Sequence, residues 1–308
     1  MRRTIRQLLR FFWRAVNWIY FRLHSLFWAN HIKLRVELTE ALEGERVIIL
    51  APHVDDDVIG CGGAILDYLA RGKSVSIVYL TDGSKLGSST DPMKITNERK
   101  KEAEAVANEI GLHTSALSFL NATDGKLLES DVFIALSEII NQNDPTTIFL
   151  PVALDTHIDH YAASLILSKA LKLTPQRESP LSIIYYEAQS PLTNIYCNVS
   201  LNITKYITQK MELTRFYQSQ PSDFKFVMEQ GRANALAVCS SGEREIYLKM
   251  TEDEFKEKCK LFFGKEFKFS MLQKKLIPFD YSENHLASYV SSCREKKSLK
   301  SFEGLFLL

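Results

Sequence analysis

Two short stretches of the sequence place histidines and aspartates close together. The first, His53-Val54-Asp55-Asp56-Asp57, joins one imidazole to three consecutive carboxylates, and the second is His157-Ile158-Asp159-His160. Adjacent carboxylates repel one another, so a folded chain needs a cation or hydrogen-bond donors to compensate them. Two imidazoles and a carboxylate that leave a fourth position open are a typical catalytic Zn²⁺ arrangement. These residue types therefore predict a metal site.

An apolar run precedes each of these stretches, at 47–51 and at 146–152. Strand and helix patterns alternate between them, which predicts an α/β fold, a Rossmann-like three-layer sandwich with a mostly parallel sheet. The carboxyl ends of neighbouring parallel strands share one crevice, so both clusters are expected there. The alternative is that they are polar caps on unrelated strands. Their occurrence at two strand ends favours a shared site.

The periodicity of the sequence places the elements as follows. Strands are predicted at 47–51, 74–80, 115–120, 146–152 and 182–187, and helices at 57–70, 94–110, 131–140, 161–171, 204–217 and 251–263. No clear pattern is visible between about 220 and 250.

Composition narrows the class of protein. A net charge of +1 over 308 residues disfavours a nucleic-acid binder that works by broad electrostatics. Five scattered cysteines, with no pair in CxxC spacing, disfavour a disulfide framework and a cysteine-rich zinc site. A reducing, cytoplasmic location is the simpler interpretation.

Residues 1–30 interleave arginines with aromatic and aliphatic side chains, which predicts a basic amphipathic helix. Arginines interrupt every apolar run before it reaches the ~20 residues of a membrane span. Two interpretations remain open: the helix lies in the headgroup plane of an anionic membrane, on its inner face, or it docks on the domain or on a second subunit. The chain is thus expected to comprise a terminal helix (1–35), a catalytic domain (36–250) and a C-terminal extension of uncertain structure (251–308).

The motifs together resemble those of one family. The segment from Pro52 to Gly63 resembles the opening motif of the PIG-L/LmbE zinc-dependent N-acetylglucosaminyl deacetylases, and His157 to His160 resembles their second motif. Further matches follow in order and approximate spacing over roughly 46–220: Thr81-Asp82-Gly83, Arg99, Glu102, Ala105, Asp124-Gly125, Tyr186-Glu187, Lys210 and Tyr217-Gln218-Ser219-Gln220.

The resemblance implies a role for each motif residue. It implies that His53, Asp56 and His160 bind zinc. It also implies that Asp55 is the general base and that His157 is the acid that stabilises the oxyanion.

Supporting roles follow from the same resemblance. Arg99 is expected near the sugar or its substituent, where a guanidinium can take hydroxyl or phosphate oxygens; the alternative is an exposed helix arginine paired with a glutamate. On chemical grounds rather than from the resemblance, Asp159 is expected to orient a histidine. Two positions depart from the family pattern, Val54 in place of proline and Asp57 in place of glutamate, so the role of Asp57 behind the ligands stays open.

The expected reaction is hydrolysis of the acetamide of an N-acetylated amino sugar conjugate, in glycan or glycolipid biosynthesis. One alternative is a zinc hydrolase of another amide or an ester. The other is a non-catalytic sugar-binding or assembly protein anchored by its N-terminal helix.

Overall fold

A computed structural model describes residues 16, 19, 23, 36–85, 91–175, 177, 179–192, 196–220, 224 and 226–264 of the chain. Within them, eight strands form one sheet and seven α-helices accompany it. The strands are β1 Glu37–Thr39, β2 Arg46–Ala51, β3 Ser74–Thr81, β4 Leu117–Ala122, β5 Thr147–Pro151, β6 Ser182–Tyr186, β7 Val199–Asn202 and β8 Arg244–Thr251. The helices are α1 Asp56–Ala70, α2 Pro92–Glu109, α3 Phe133–Asn143, α4 Ile158–Leu173, α5 Ile207–Leu213, α6 Phe226–Ala237 and α7 Glu252–Gly264.

The sheet has the strand order β1-β7-β8-β6-β5-β2-β3-β4. Neighbouring strands are parallel except around β8, which runs antiparallel to both β6 and β7. This mostly parallel sheet confirms the predicted α/β class. It also makes β2 and β5 direct neighbours, with Val47 opposite Thr147 and Ile49 opposite Phe149. The two strands that precede the motifs therefore end side by side.

Two apolar cores lie on opposite faces of the sheet. Along β2, Val47 and Ile49 pack into the core shared with α1 and α2, whereas Ile48 and Leu50 pack into the core shared with α3 and α4. This alternation is the two-residue period of a strand buried on both faces. The result is the predicted three-layer arrangement.

The prediction for 204–217 was too long: α5 ends at Leu213, and a 3₁₀ turn, Thr214–Phe216, follows it. Beyond residue 220 the chain adds α6, β8 and α7 to the fold, of which the sequence pattern predicted α7 alone. Phe255 on α7 is fully buried in the core beneath α4, so packing continues past the expected boundary at 250.

The predicted N-terminal helix lies almost entirely outside the described residues. Of its length the structure describes Val16, Ile19 and Leu23, all three helical, with Ile19 and Leu23 exposed. Among the described residues, no helix combines the length and the apolar character needed to cross a membrane.

Candidate metal and catalytic site

The loop that leaves β2 carries the first motif directly into α1. The Thr81 hydroxyl of β3 donates a hydrogen bond to the Pro52 carbonyl (2.7 Å), which ties this loop to the neighbouring strand. Asp55 then adopts a φ of 127°, a conformation that L residues rarely occupy, and α1 begins at Asp56. Such strain persists where surrounding contacts hold it in place, and it is frequent at functional sites.

The carboxylate of Asp56 joins the two motifs. Its Oδ2 accepts a hydrogen bond from the backbone N–H of His53 (2.9 Å) and lies 3.2 Å from Nδ1 of the same residue. The same oxygen lies 3.2 Å from Nε2 of His160, which lies in the first turn of α4. Two ligands of one tetrahedral Zn²⁺ are separated by about 3.3 Å when the bonds are roughly 2.0–2.1 Å long.

His160 supplies the observation that bears most directly on a metal. Its side chain is fully buried, and neither ring nitrogen has an aligned hydrogen-bond partner. Carboxylate oxygens of Asp56 and Asp155 lie 3.2 and 3.3 Å from these nitrogens. Buried polar groups normally have partners, so an unaligned imidazole facing a carboxylate fits a site built to receive a cation.

Among the residues that the structure describes, two sets of histidine and aspartate side chains have ligand atoms that all lie within 4.8 Å of one another. One is His53, His157 and His160, and the other is His53, Asp124, His157 and Asp159. Neither set contains Asp56, although it contacts both His53 and His160. The structure thus brings His157 as near to the other histidines as a ligand would be.

Two buried aspartates support the histidines from behind. Asp159 places Oδ2 3.2 Å from Nε2 of His53, and it accepts backbone hydrogen bonds from Gly125 (2.7 Å) and Leu127 (3.1 Å). Asp155 lies beside Nδ1 of His160 and accepts backbone hydrogen bonds from three residues, at 2.9–3.1 Å: His157, Gln189 and Ser190. Although burial opposes ionisation, these donors and histidines lower the pKa of both carboxyl groups.

The charges of the metal-free cluster compensate one another. Burial alone would lower the pKa of His160, but Asp56 and Asp155 outweigh it and raise the pKa to about 10. Burial likewise opposes protonation of His53, whose pKa is raised well above its usual range by Asp124, Asp159 and Asp56. In the metal-free protein, protonated His53 and His160 therefore supply the positive charge that compensates the buried carboxylates.

His157 differs from the other two histidines. Burial and the neighbouring charges of His53 and His160 lower its pKa to about 4. Its Nδ1 accepts a hydrogen bond from the backbone N–H of Asp159 (3.2 Å), which leaves the proton of the neutral ring on Nε2. In this state His157 is a neutral hydrogen-bond donor rather than an imidazolium acid.

The three consecutive aspartates have three different surroundings. Asp55 is half-buried; burial and Asp56 raise its pKa well above its usual range, and Arg99 opposes the shift. Asp57 points away into the core, where the hydroxyls of Tyr79 (2.9 Å) and Tyr217 (3.4 Å) donate to it. Burial raises the pKa of Asp57 to about 6.

Arg99 is not the exposed helix arginine of the alternative interpretation, because only 2% of its surface is exposed. Its Nη2 donates to Oε1 of Gln220 (3.1 Å). The nearby Glu102 accepts two hydrogen bonds from Ser219, at 2.6 and 2.7 Å. A Cβ at Gly83 would lie 2.6 Å from Nη1 of Arg99, so this glycine leaves room for the side chain.

Two residues of the cluster were absent from the predicted site. Asp124, whose Oδ1 lies 3.5 Å from Nε2 of His53, belongs to a turn after β4 that the sequence marks only by its family resemblance. Asp155 follows β5 by four residues. Its position between a strand end and a histidine motif was the signal that could have identified it.

Comparisons with known proteins find similar sequences and a similar fold. Residues 48–171 match the family described as PIG-L, GlcNAc-PI de-N-acetylase. A relative from Escherichia coli (strain K12), described as an uncharacterized deacetylase, YaiS, is 25% identical over 189 residues, covering 59% of this chain and 95% of the relative. A probable N-acetyl-alpha-D-glucosaminyl L-malate deacetylase 2 from Bacillus anthracis is 26% identical over 191 residues, covering 58% and 83%.

Among solved structures, the N,N'-diacetylchitobiose deacetylase from Pyrococcus horikoshii has a TM-score of 0.60 at 22% identity, covering 68% of this chain and 84% of its own. At that identity the likeness shows the fold. The segment 48–171 that matches the family includes both histidine motifs, all of β5 and α1, and most of β2 and α4. Residues 48–171 of this chain therefore carry a domain match to the PIG-L family, described as GlcNAc-PI de-N-acetylase.

Proposed function

We propose that this protein is a Zn²⁺-dependent hydrolase that removes the acetyl group from an N-acetylated amino sugar conjugate. One observation carries the proposal: Oδ2 of Asp56 lies 3.2 Å from a ring nitrogen of both His53 and His160. This carboxylate therefore connects the two motifs, which follow the neighbouring strands β2 and β5. The relatives described as deacetylases support the reaction type. A step in glycan or glycolipid biosynthesis is the setting that such a substrate implies.

His53, Asp56 and His160 would hold the metal. Their donor set, two imidazoles and one carboxylate, suits Zn²⁺ with a position left for substrate. When bound, the cation would polarise the acetamide carbonyl and lower the pKa of nearby water. Asp159 and Asp155 would keep the two imidazoles oriented through the contacts already described.

Asp55 would accept the proton of the attacking water. A carboxyl group with a raised pKa is a better base near neutral pH than an ordinary aspartate. His157, on the other side of the cluster, would stabilise the oxyanion through its Nε2–H. His157 would also protonate the departing amine only as an imidazolium, whose Nδ1–H would face Asp159 at 3.9 Å.

Arg99 would contact the sugar or its substituent close to the general base, because its charge already acts on Asp55. Asp57 would support the motif from the core through Tyr79. The catalytic domain would extend from residue 36 through α7. The N-terminal segment would hold the enzyme at the inner face of an anionic membrane through its arginines and apolar residues, including the exposed Ile19 and Leu23.

A substrate screen tests the reaction. Acetate release would be measured with N-acetylglucosamine, its phosphatidylinositol and nucleotide conjugates, its simple glycosides, and unrelated acetamides and acetate esters. The proposal expects release from at least one amino sugar and none from the unrelated compounds. Release from the unrelated compounds alone would support the alternative hydrolase, and no release from any compound would support a non-catalytic protein.

Liposome flotation with and without residues 1–30 tests the membrane contact, and equal flotation would refute it.

A further inference from the structure

One side-chain amide connects three parts of the candidate site. Gln220 receives a hydrogen bond at Oε1 from Nη2 of Arg99 (3.1 Å) and donates one from Nε2 to the carbonyl of Val54 (3.2 Å). A guanidinium can only donate and a carbonyl can only accept, so these two contacts fix which end of the amide is oxygen. Val54 immediately precedes Asp55, whose backbone φ is 127°.

The segment that carries Gln220 is itself anchored to the helix that carries Arg99. Glu102, three residues after Arg99 on α2, accepts hydrogen bonds from both the backbone N–H and the hydroxyl of Ser219. Tyr217 donates from the same segment to Asp57 (3.4 Å). The amide of Gln220 is thus held between α2 and the loop before α1 rather than resting on a surface.

Arg99 has little freedom on its other side. The turn after β3 packs against it at Gly83, where an added Cβ would lie 2.6 Å from Nη1 and 2.7 Å from Cδ. This packing restrains the guanidinium at one edge, while Gln220 bonds Nη2 at another. An oriented guanidinium loses less freedom for each hydrogen bond it then forms with a ligand.

We propose that Gln220 is a positioning residue, which orients the guanidinium of Arg99 towards Asp55 and the substrate while it fixes the carbonyl that precedes the general base. The role deepens the proposed function and rests on it for its catalytic effect. No charge or proton transfer is assigned to Gln220. Methionine at this position would keep the approximate size and lose both hydrogen bonds, whereas glutamate would keep the oxygen that accepts from Arg99.

A double-mutant cycle tests the proposal by activity. Gln220→Met and Arg99→Lys are each expected to lower kcat/KM by about 10- to 100-fold, the range in which misplacement of an active-site group falls. If Gln220 acts in part through Arg99 and in part through the Val54 carbonyl, the double variant will lose less than the product of the two single losses, by about threefold or more. Losses that multiply would overturn the proposal. Gln218→Met is the matched control, since Gln218 is exposed two residues away, and it is expected to retain wild-type activity.

Arginine side-chain NMR gives a readout that needs no turnover. In ¹⁵N-arginine-labelled protein, the Arg99 guanidinium signal, assigned by its loss in Arg99→Lys, is expected to shift or broaden in Gln220→Met and to persist in Gln220→Glu and Gln218→Met. An unchanged signal in Gln220→Met would refute the coupling. If Gln220→Met does not fold, loss of the signal in folded Gln220→Glu would refute it. If wild-type protein releases acetate from no substrate, the proposed function fails while this spectrum still decides the contact.

Discussion

Replacing Asp55 by asparagine separates the proposed general base from the metal site beside it. Asparagine keeps the size of the side chain, and like aspartate it is found at positive φ more often than most residues. His53, Asp56 and His160 remain intact, so metal binding is expected to persist. Loss of a general base costs about 10²- to 10⁴-fold in rate, or about 2.7–5.4 kcal/mol in the activation barrier.

The same substitution has an expected effect on stability. Burial and Asp56 raise the pKa of Asp55 in the folded state, so its ionised form disfavours folding and the metal-free protein loses stability as pH rises through the raised pKa. Asparagine removes this term. The Tm of metal-free Asp55→Asn is therefore expected to equal or exceed that of the wild type, with the difference growing as pH rises above the ordinary pKa of an aspartate.

Acetate release, metal content by elemental analysis and thermal melting would be measured on the same preparations. Asp131→Asn, at an exposed position, is the matched control and is expected to match the wild type in all three. Asp55→Asn that retains its metal and works within tenfold of the wild-type rate would remove Asp55 from the mechanism. Loss of metal in this variant would instead make Asp55 a ligand and contradict the assignment.

Three further predictions concern the ligands and the packing of α1. His160→Gln is expected to lose the metal, as measured by elemental analysis. His157→Gln is expected to keep the metal and to lose about 10²- to 10³-fold in kcat, which is the effect of removing one oxyanion donor. Metal loss in both variants would make His157 a ligand. Lys210→Met is expected to lower the free energy of unfolding by about 3–5 kcal/mol, since the buried Nζ donates to Glu245 (2.6 Å) and to the carbonyl of Ile59 (2.8 Å). Chemical denaturation measures this loss, and the companion change Glu245→Gln should restore part of it. An unaltered denaturation midpoint in Lys210→Met would contradict the buried ion pair. Gly60→Ala is expected to lower the free energy of unfolding by about 1–3 kcal/mol, because its Cβ would lie 2.1 Å from the ring of Tyr186. Replacing that ring by a smaller side chain, in Tyr186→Leu, should recover stability. A wild-type Tm for Gly60→Ala alone would show that the close approach is absent.

The elements around the motifs were predictable because their signals are local. The run Val47 to Ala51 is apolar on both faces, and a strand of that kind belongs inside a parallel sheet. The same pattern at β5 made a shared strand edge the natural expectation, and the sheet confirms that β2 and β5 are neighbours. The family prediction is likewise confirmed, by the match over residues 48–171.

What the sequence pattern missed depends on long-range pairing. β8 begins with Arg244 and Glu245, which resemble surface residues, yet both are buried and paired: Arg244 donates to the carbonyl of Ser200 (2.9 Å), and Glu245 accepts from Lys210 (2.6 Å). β7 has four residues, too few to show a period. No local pattern reveals that an antiparallel strand lies between two distant segments.

The site, like the fold, combines features that local sequence shows with features that depend on distant residues. Histidines and aspartates adjacent in sequence could be grouped by inspection, whereas the burial of Arg99 depends on Gly83 and Gln220, which come from two other parts of the chain. The low pKa of His157 arises from burial and from the charges of His53 and His160, and it depends on how closely the fold packs these three rings rather than on their order in the sequence.

Metal dependence of acetate release tests the central claim most directly. Wild-type protein would be stripped with a chelator, dialysed, and titrated with Zn²⁺ while acetate release from the best amino sugar substrate is followed. Stripped protein is expected to be inactive, and activity is expected to return and reach a plateau at one equivalent of Zn²⁺ per chain. Full activity in protein shown by elemental analysis to be free of metal would contradict it.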